Sequence, residues 1–569
     1  MIRVKNMYIL GFWDGHDAGA CIVEDGVIKV AINEERLTRK KLDIRFPDNS
    51  IKACLNYLKL KPTDISVIAT CGTQLTRILA RSFSSLDKEF YNFRRRKIPK
   101  PKFERTRRFI KYYLARFNAS SLKKFTELQL RKRLDKLGFK DYKVYIVDHH
   151  LAHAASAVFT SGFDKCLCIT LDGVGDGLSG SVNVFEDGEL NKISSVHEKD
   201  SLAIMFEEVT TILGFRELED EGKVMAMADY SYPIPDKENT LMNFFSINGL
   251  QIKAKHSTIQ RFKELEKIKW NTPIERFAYM SQRALEENML QFFQNAIDET
   301  GIKNVCWSGG VASNIKANRI IRLDSGLKKW FVFPHMGDGG LAVGAALYVD
   351  YSLNGTKPYR LENVYLGPEF NEEKIKEELK KWKQMKWEER SDIAKTMAEL
   401  INKGNYVFWY QGRLEYGPRA LGNRSILASA ASEDVKELLN LHVKKREWFQ
   451  PFCPSMMEEE AKRILDDYDS LPDRFMTMGY MSKKEFKKRI QSIIHIDGSM
   501  RPQMVGKENM LYHKLIEEVK RLSGDGIILN TSFNIHGEPI VCTPKDALDT
   551  MIKTKTKYMA MGNFLIELK

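Results

Sequence analysis

A pattern of glycine and aspartate occurs twice in this chain, and it constrains the fold more than any other feature. One copy occupies residues 9–26 and the other residues 171–188, and each ends in a Glu-Asp-Gly turn. Aligning those turns also superimposes Asp14-Gly15 on Asp176-Gly177. Each copy predicts a strand, a Gly/Asp turn, a second strand, a hairpin and a third strand, so the region is predicted to be an internal duplication.

Paired turns of this kind resemble those that open each half of actin-like and sugar-kinase-like ATPases. Glycine permits positive φ and a close approach of the backbone, so the N–H groups of such turns can hold nucleotide phosphates. The alternative is two ordinary hairpins, because Gly/Asp turns are common.

Two histidines, His149 and His153, predict a metal site. They stand four residues apart, so on a helix both imidazoles leave the same face within one turn. Asp172 and Asp338, each in a Gly-rich turn, would add carboxylate oxygens to a mixed ligand set that leaves room for substrate or water. The alternative is that these are surface or core histidines without a ligand.

A predicted strand-to-helix turn at residues 307–314 is a candidate nucleotide contact. Gly309 and Gly310 could let an adenosine lie against the backbone, and the helix start near Asn314 offers free N–H groups. Asp338 begins an Ala/Gly-rich helix, and close helix packing explains those small residues but not an aspartate beside two glycines.

The length of 569 residues is too great for one hydrophobic core and predicts two domains. We place the boundary in the turn-rich stretch 354–358, giving domains 1–355 and 356–569. No apolar run approaches the roughly 20 residues of a membrane helix and no signal peptide is evident, so the protein is expected to be cytoplasmic. The eight scattered cysteines predict reduced, mostly buried thiols.

The net charge of +14 is concentrated in a basic insertion at about residues 76–140. Between Arg94 and Lys136 there are 17 Lys and Arg against 3 Asp and Glu, an excess that equals the charge of the whole chain. Basic and aromatic residues interleaved in this way could bind RNA, an anionic lipid surface or a phosphorylated acceptor. Solvated basic helices are the commoner explanation. The residues concerned are Arg94, Arg95, Arg96, Lys97, Phe103, Arg105, Arg107, Arg108, Phe109, Lys111, Tyr112 and Tyr113.

The C-terminal half predicts an anion site. Buried strands are predicted at 406–410 and 526–529, and the loop 412–425 after the first carries Arg413, Arg419 and Arg424. Several guanidinium groups around one loop would form a concave site for phosphates. The alternative, pairing with Glu415 and Glu447, would account for one or two arginines but not for all.

Several rare strings, in one order over nearly the whole length, resemble the O-carbamoyltransferases of the NodU/CmcH/TobZ family. The matching strings are Asp14-Gly15-His16-Asp17, Glu34–Lys41, His149–Ala157, Gly222-Lys223, Gly309–Asn314, Asp338, Gly412–Ser425, Lys445-Arg446-Glu447, Asp497–Gln503 and Asn530–Asn534.

The resemblance implies an α/β protein with an N-terminal actin-like (ASKHA, Kae-type) duplicated domain followed by a YrdC-like α/β domain. It implies that the C-terminal domain makes carbamoyl adenylate from carbamoyl phosphate and ATP, with Mg accompanying ATP. The metal site, with Fe expected and Zn or Mn as alternatives, then transfers the carbamoyl group to an acceptor hydroxyl and AMP leaves. The basic insertion is implied to help shape the acceptor pocket, which favours an anionic acceptor.

The resemblance also implies site residues. His16 is the candidate general base, because imidazole titrates near neutrality and Asp14 or Asp17 could hold its tautomer; the alternative is a structural His16 capping its own turn. Lys41 and Lys223 are implied to lie near the nucleotide, although residues 225–228 depart from the family's Met-Gly-Leu-Ala. The implied catalytic and cofactor-binding residues are His16, Asp14, Lys41, Lys223, Gly309, Gly310, Asn314, Arg419, Arg424, Lys444, Arg446, Arg501, Asn530 and Ser532.

Two rival functions and several partners stay open at this point. A tRNA threonylcarbamoyladenosine-type modification enzyme would explain the basic insertion, and an actin-like kinase would need no carbamoyl chemistry. The acceptor is expected to be a hydroxyl-bearing small molecule or sugar. Nucleic acid is disfavoured without being excluded, and a homo-oligomer is left open.

Overall fold

The computed structural model describes residues 7–97, 110 and 122–569, which divide into two compact units. The first unit comprises the described residues up to Glu34 and those of Leu42–Leu361, and the second comprises Glu35–Lys41 and Glu362–Lys569. The domains expected from sequence, 1–355 and 356–569, divide the chain close to Leu361, but Glu35–Lys41 clusters with the second unit. The chain is a mixed α/β protein with several sheets.

The first unit contains two five-stranded sheets of the same topology. In each sheet, the first three strands in sequence order form an antiparallel meander. The first strand also pairs in parallel with the fourth, and the fourth pairs in parallel with the fifth. The orders are β3-β2-β1-β4-β5 and β12-β11-β6-β7-β8. The strands, with the separate hairpin β9-β10, are β1 Tyr8–Trp13, β2 Gly19–Glu24, β3 Val27–Asn33, β4 Val67–Cys71, β5 Lys143–Val147, β6 Cys166–Gly175, β7 Leu178–Glu186, β8 Glu189–His197, β9 Phe245–Asn248, β10 Gln251–Ala254, β11 Asn304–Ser308 and β12 Lys329–Val332.

The central strands are apolar and buried over nearly their whole length, as expected for parallel strands covered on both faces. The described helices before residue 361 are α1 Glu34–Thr38, α2 Asp48–Leu58, α3 Leu75–Ser82, α4 Ser84–Arg94, α5 Lys123–Lys136, α6 His149–Ser161, α7 Leu202–Ile212, α8 Glu221–Met227, α9 Thr258–Trp270, α10 Ile274–Thr300, α11 Ile315–Asp324 and α12 Leu341–Asn354.

Helix α12 is the Ala/Gly-rich helix predicted after Asp338, and its small residues permit close packing. A Cβ on Gly344 would lie 1.9 Å from the carbonyl oxygen of Ala152 in α6, and a Cβ on Gly11 in β1 would lie 2.2 Å from that of Ala342. Glycine at these two positions therefore sets how closely α12 approaches β1 and the helix that carries His149 and His153.

The second unit is built on one eight-stranded mixed sheet in the order β13-β22-β21-β14-β15-β20-β16-β19. Helices α14 (Ile393–Asn402) and α17 (Met510–Ser523) cover a core that includes Met397, Trp409 and Ile528. Its strands are β13 Met385–Glu389, β14 Val407–Tyr410, β15 Arg424–Ser429, β16 Cys453–Met457, β17 Tyr480–Met481, β18 Ser499–Met500, β19 Gln503–Val505, β20 Ile527–Ser532, β21 Tyr558–Met561 and β22 Phe564–Leu568. Its helices are α13 Glu372–Leu379, α14 Ile393–Asn402, α15 Glu433–Leu438, α16 Ala461–Ile464, α17 Met510–Ser523 and α18 Pro544–Thr554, and a π-helical segment spans Leu439–Lys444.

Several element predictions are confirmed. The strands expected at 406–410 and 526–529 are β14 and β20, and the helix expected at His149 is α6. All eight cysteines are free thiols, of which only Cys453 is not fully buried. Among the described residues, no helix combines the length and apolar character that crossing a bilayer requires.

The basic insertion is only partly described, as the helices α3, α4 and α5. Eight of the basic and aromatic residues singled out from the sequence lie outside the described residues, so the hypothesis that this segment binds a polyanion stays a prediction. They are Phe103, Arg105, Arg107, Arg108, Phe109, Lys111, Tyr112 and Tyr113.

Candidate functional site

The four predicted metal ligands come together in the first unit. His149 and His153 lie on the first turns of α6, where the side chain of Asp148 caps the helix by accepting from the N–H of Leu151. Asp172 lies on β6 and Asp338 begins a single 3₁₀ turn before α12. One ligand atom from each of the four residues lies within 4.8 Å of the others.

The distances between these atoms favour a shared cation. Nε2 of His149 lies 3.4 Å from Oδ2 of Asp172 and 3.5 Å from Oδ1 of Asp338, and Nε2 of His153 lies 3.6 Å from the same oxygen of Asp338. Such distances are long for hydrogen bonds. Both histidines are 1% exposed, and the buried Nε2 of His153 has no hydrogen-bond partner among the described residues. Two imidazole nitrogens and two carboxylate oxygens suit a divalent transition metal.

Backbone contacts fix the orientation of these ligands. The N–H of Gly310 donates to Oδ1 of Asp172 at 2.7 Å, and Gly309, at φ 101°, has no space for a Cβ beside the carbonyl of Leu171. Asp176 accepts from the N–H of His149 at 3.0 Å. Gly310 thus binds a candidate metal ligand and Gly309 packs against the residue before that ligand, while the contact expected between these glycines and adenosine stays a prediction.

The electrostatics of the cluster are those of a cation site. Burial alone would lower the pKa of His149, but Asp338 and Asp172 outweigh burial and raise it to about 9. Burial would raise the pKa of Asp172, but His149 and His153 hold it well below its usual range. Asp172 therefore stays ionised and, with Asp338 beside it, favours positive charge at the imidazole of His149, as a proton or as a metal ion.

The turn that carries His16 lies beside this cluster. The indole N–H of Trp13 donates to the carbonyl oxygen of His16 at 2.8 Å, and the Trp13 ring packs edge-on against that of His149 with centroids 6.0 Å apart. The carboxylate of Asp14 is bound by the guanidinium of Arg81 at 2.8 and 3.0 Å. Burial opposes ionisation of Asp14, yet Arg81 and Arg77 lower its pKa to about 2.

Asp17 belongs to a second contact between this turn and the metal centre. Its Oδ1 accepts from the side-chain amide of Asn33 at 3.2 Å, and its Oδ2 lies 3.6 Å from Nε2 of His335. The same His335 nitrogen lies 3.0 Å from Oδ1 of Asn33. A Cβ on Gly339 would lie 2.1 Å from the His335 ring, so His335 packs against the turn that carries Asp338.

The second unit gathers the predicted basic residues. Nζ of Lys444, a residue 4% exposed, donates to Oγ of Ser532 at 3.1 Å and to Oδ1 of Asn534 at 2.8 Å. A guanidinium nitrogen of Arg501 lies 3.0 Å from Sγ of Cys453. Arg446 lies over the ring of Phe452 at 4.2 Å. We call Lys41, Arg419, Lys444, Arg446 and Arg501 the cationic cluster.

Members of the cationic cluster destabilise one another's charge. Burial, then Arg446 and Lys41, hold the pKa of Lys444 well below its usual value, and no anionic neighbour offsets them. Burial, then Arg501, lower the pKa of Arg419 to about 9. Since guanidinium groups keep their proton in proteins, we interpret these shifts as electrostatic strain that a bound anion would relieve.

Two family models match the chain at these two regions. The model described as carbamoyltransferase N-terminus matches residues 8–347, and the model described as carbamoyltransferase C-terminus matches residues 398–568. The chain belongs to the carbamoyltransferase family. This carbamoyltransferase therefore carries its candidate metal centre in the N-terminal match and most of its cationic cluster in the C-terminal one.

Relatives resemble this carbamoyltransferase over most of its length. The nodulation protein NolNO of Sinorhizobium fredii is 32% identical over 97% of this chain and 79% of its own. An uncharacterized protein of Methanocaldococcus jannaschii is 33% identical over 98% of this chain and 99% of its own. Among solved structures, HypF of T. kodakarensis aligns with 62% of this chain and 48% of its own at 14% identity and a TM-score of 0.36, a likeness too weak to carry an argument.

Other predicted nucleotide residues of the first unit have partners within the protein. Nζ of Lys223 lies 3.2 Å from Oδ1 of Asp220 and over the ring of Phe215. The side chain of Asn314 caps α11 and exchanges hydrogen bonds with Gln282 at 2.8 and 3.0 Å. Their roles toward a nucleotide stay predictions.

Arg424 differs from the cationic cluster, although it was predicted to bind the same anion. It is fully buried, its guanidinium is bound by carbonyl oxygens that include those of Asn423 and Gly412, and it stacks 3.6 Å over the ring of Tyr410. Asn530 is also buried, and its amide donates to the carbonyl of Ala420 and to Oγ of Ser455. Through these contacts Arg424 and Asn530 stabilise the conformation of loop 412–425.

The way in which loop 412–425 is held was not evident from the sequence. Oε1 of Glu415 accepts from the backbone N–H groups of Leu421, Asn423 and Arg424 at 2.8–3.0 Å. The carboxylate expected as an alternative partner for the arginines thus organises the backbone instead. His335 was also missed, although it stands in the same string as Asp338 and its proximity to that ligand was a usable signal.

Proposed function

We propose that this carbamoyltransferase is an ATP-dependent O-carbamoyltransferase that works in two steps. The observation that supports this most is the cationic cluster, because the buried Lys444 lies beside Arg446 and Lys41 and no acidic group among the described residues offsets its charge, an arrangement that suits the phosphates of carbamoyl phosphate and ATP. Adenylation in the second unit would precede carbamoyl transfer at the metal centre of the first unit.

In the first step the cationic cluster binds both donors. Carbamoyl phosphate is hydrolysed to carbamate and phosphate, with water supplying the new oxygen. A carbamate oxygen then attacks the α-phosphorus of ATP, and pyrophosphate leaves with the electron pair of the broken bond. Lys444, Arg446 and Arg501 offset the charge that develops on the phosphates, and Mg accompanies ATP. The product, carbamoyl adenylate, carries a much better leaving group than carbamate does.

In the second step the acceptor hydroxyl attacks the carbamoyl carbon. His16 removes the hydroxyl proton with an imidazole nitrogen, and AMP leaves with the electron pair of the broken bond to carbon. His149, His153, Asp172 and Asp338 would hold the metal, with Fe, Zn and Mn as candidates. When bound, it supplies Lewis-acid polarisation of an oxygen of the adenylate.

The shared topology of the two five-stranded sheets supports an actin-like, Kae-type duplication of the first unit. Both sheets carry a Gly/Asp turn near the end of their first strand, at Asp14-Gly15 and Asp176-Gly177. A YrdC-like fold for the second unit is part of the same proposal. The acceptor is a hydroxyl-bearing small molecule or sugar.

The experiment is incubation of the purified protein with ATP and labelled carbamoyl phosphate. The proposal predicts pyrophosphate and labelled carbamoyl adenylate, both dependent on carbamoyl phosphate, and AMP once an acceptor is added. An Arg489→Gln variant, in which the substituted side chain is 47% exposed and paired with Asp525, serves as a control that keeps these activities. ATP turnover that needs no carbamoyl phosphate would instead identify a kinase-like enzyme.

A further inference from the structure

Helix α3 and the residues just before it contact both Gly/Asp turns of the first unit. The backbone N–H of Thr73, two residues before the helix begins at Leu75, donates to Oδ1 of Asp176 at 2.6 Å. One and two turns further on, Arg77 and Arg81 reach the other turn at Asp14. This segment therefore connects the turn that carries His16 to Asp176, whose carboxylate accepts from the backbone N–H of His149.

The pair between Arg81 and Asp14 is buried and bidentate. Nε of Arg81 lies 2.8 Å from Oδ2 of Asp14 and a terminal nitrogen lies 3.0 Å from Oδ1, with side-chain exposures of 5% and 3%. Arg77 donates to the carbonyl oxygen of Asp14 at 2.7 Å and pairs with Asp87 at 2.8 Å. Two parallel N–H···O bonds fix orientation as well as distance. Both oxygens of Asp14 are thus committed to binding arginine.

The turn itself transmits this geometry to His16. Asp14 stands two residues before it, and the indole of Trp13 donates to its carbonyl oxygen. A Cβ on Gly15 would lie 2.2 Å from the Trp13 ring, so the turn folds directly onto the indole. The same indole packs against His149. A turn held at both Asp14 and the carbonyl of His16 has little freedom to move relative to the metal centre.

We propose that Arg81 is a positioning residue for carbamoyl transfer, acting through Asp14 to hold the turn that presents His16. Asp14 is then an anchor of that turn and carries no proton in the reaction. The catalytic consequence rests on the proposed function, whereas the structural consequence, a fixed His16, can be measured without it.

The test compares Arg81→Ala and Arg81→Lys with Arg283→Ala. Arg283 makes an equally bidentate pair with Asp236, at 3.0 and 2.9 Å, but that pair is partly exposed and belongs to α10. The rate of diethylpyrocarbonate modification is followed at each histidine by peptide mass spectrometry. His513, with 22% of its side chain exposed in the second unit, is the internal reference.

We expect the rate constant at His16 to rise about tenfold in Arg81→Ala, because local opening of the turn becomes more frequent. Added methylguanidinium should restore it and Arg81→Lys should be intermediate, while Arg283→Ala and the His513 reference should not change. An unchanged rate at His16, or a rise that methylguanidinium does not reverse in a variant of unchanged circular dichroism, would overturn the proposal.

A parallel measurement separates this result from the proposed function. Adenylate formation from ATP and carbamoyl phosphate should be retained in Arg81→Ala, because that step is proposed for the second unit. If the unmodified protein makes no adenylate, the proposed function fails while the rate at His16 still decides the role of Arg81.

Discussion

The candidate metal centre and the cationic cluster have opposite imbalances of charge. In the metal centre, two carboxylates face two imidazoles, and the site favours a cation because its own anions are already in place. In the cationic cluster, burial and like charge weaken the protonation of Lys444 and no acidic neighbour compensates. The missing charge of each site therefore indicates the kind of ligand that we propose for it: a metal ion for the first and phosphates for the second.

The largest expected effect is the loss of metal binding when one of the four candidate ligands is removed. We expect His153→Ala to weaken metal binding by more than about 100-fold, because a buried ligand is lost outright and loss of an outer-shell partner alone costs about 10–100-fold. Metal content after dialysis, measured by plasma mass spectrometry, checks this. His197→Gln, an exposed histidine on β8, is the control and should retain the metal. Full metal content in His153→Ala would show that the four residues are not the ligands.

A somewhat smaller effect is expected at the cationic cluster. Arg501→Gln should weaken pyrophosphate binding by about 10–100-fold, because a charge-assisted hydrogen bond contributes about 1.5–3 kcal/mol. Isothermal titration with pyrophosphate measures the change, and metal content should stay the same. Equal affinity in Arg501→Gln and the unmodified protein would remove Arg501 from the anion site.

The two sites are also expected to show opposite pH dependences. The raised pKa of His149, about 9 without metal, means that a proton competes with the metal below that pH. Metal affinity should therefore fall as pH falls, by up to about tenfold per unit. At the cationic cluster the pKa of Lys444 is lowered, so the affinity for sulfate, whose own charge is constant over this range, should fall as pH rises and this lysine loses its proton. Titrations with metal and with sulfate between pH 6 and about 9 check both slopes, and slopes of the same sign would contradict these assignments.

The smallest expected effect concerns the loop that supports the cationic cluster. Glu415→Gln keeps an oxygen acceptor but removes the charge that binds three backbone N–H groups. We expect the free energy of unfolding to fall by about 1 kcal/mol, measured by urea denaturation. Glu485 is exposed in the second unit, so Glu485→Gln is the control and should leave the free energy of unfolding unchanged. Equal stability of the two variants would show that the Glu415 carboxylate does not stabilise the loop.

Local patterns predicted much of the fold and of the metal site. The i and i+4 spacing of His149 and His153 depends only on helix geometry, and the glycines beside Asp172 and Asp338 marked turns whose carboxylates could reach them. The duplicated Gly/Asp turn anticipated two sheets of one topology. These features are short-range, so the sequence contains them directly.

Contacts between distant segments could not be predicted in this way. Arg81 binds Asp14 from 67 positions away, and Arg81 lies in a basic insertion where its neighbours favoured a surface role. Arg424 was grouped with the other arginines of its loop, but its stacking on Tyr410 depends on the register of β14 and β15. Which side chain meets which partner is set by tertiary packing, and the residue types alone fit several solutions.

The division of tasks between the two units is tested most directly by removing the metal and following the two steps separately. The protein is stripped with a chelator, returned to buffer containing Mg, and given ATP and labelled carbamoyl phosphate. We predict that carbamoyl adenylate accumulates at an undiminished rate, and that carbamoyl transfer to an added acceptor resumes only when the stripped metal is restored. Loss of adenylate formation on stripping, or transfer that continues without the metal, would contradict the account.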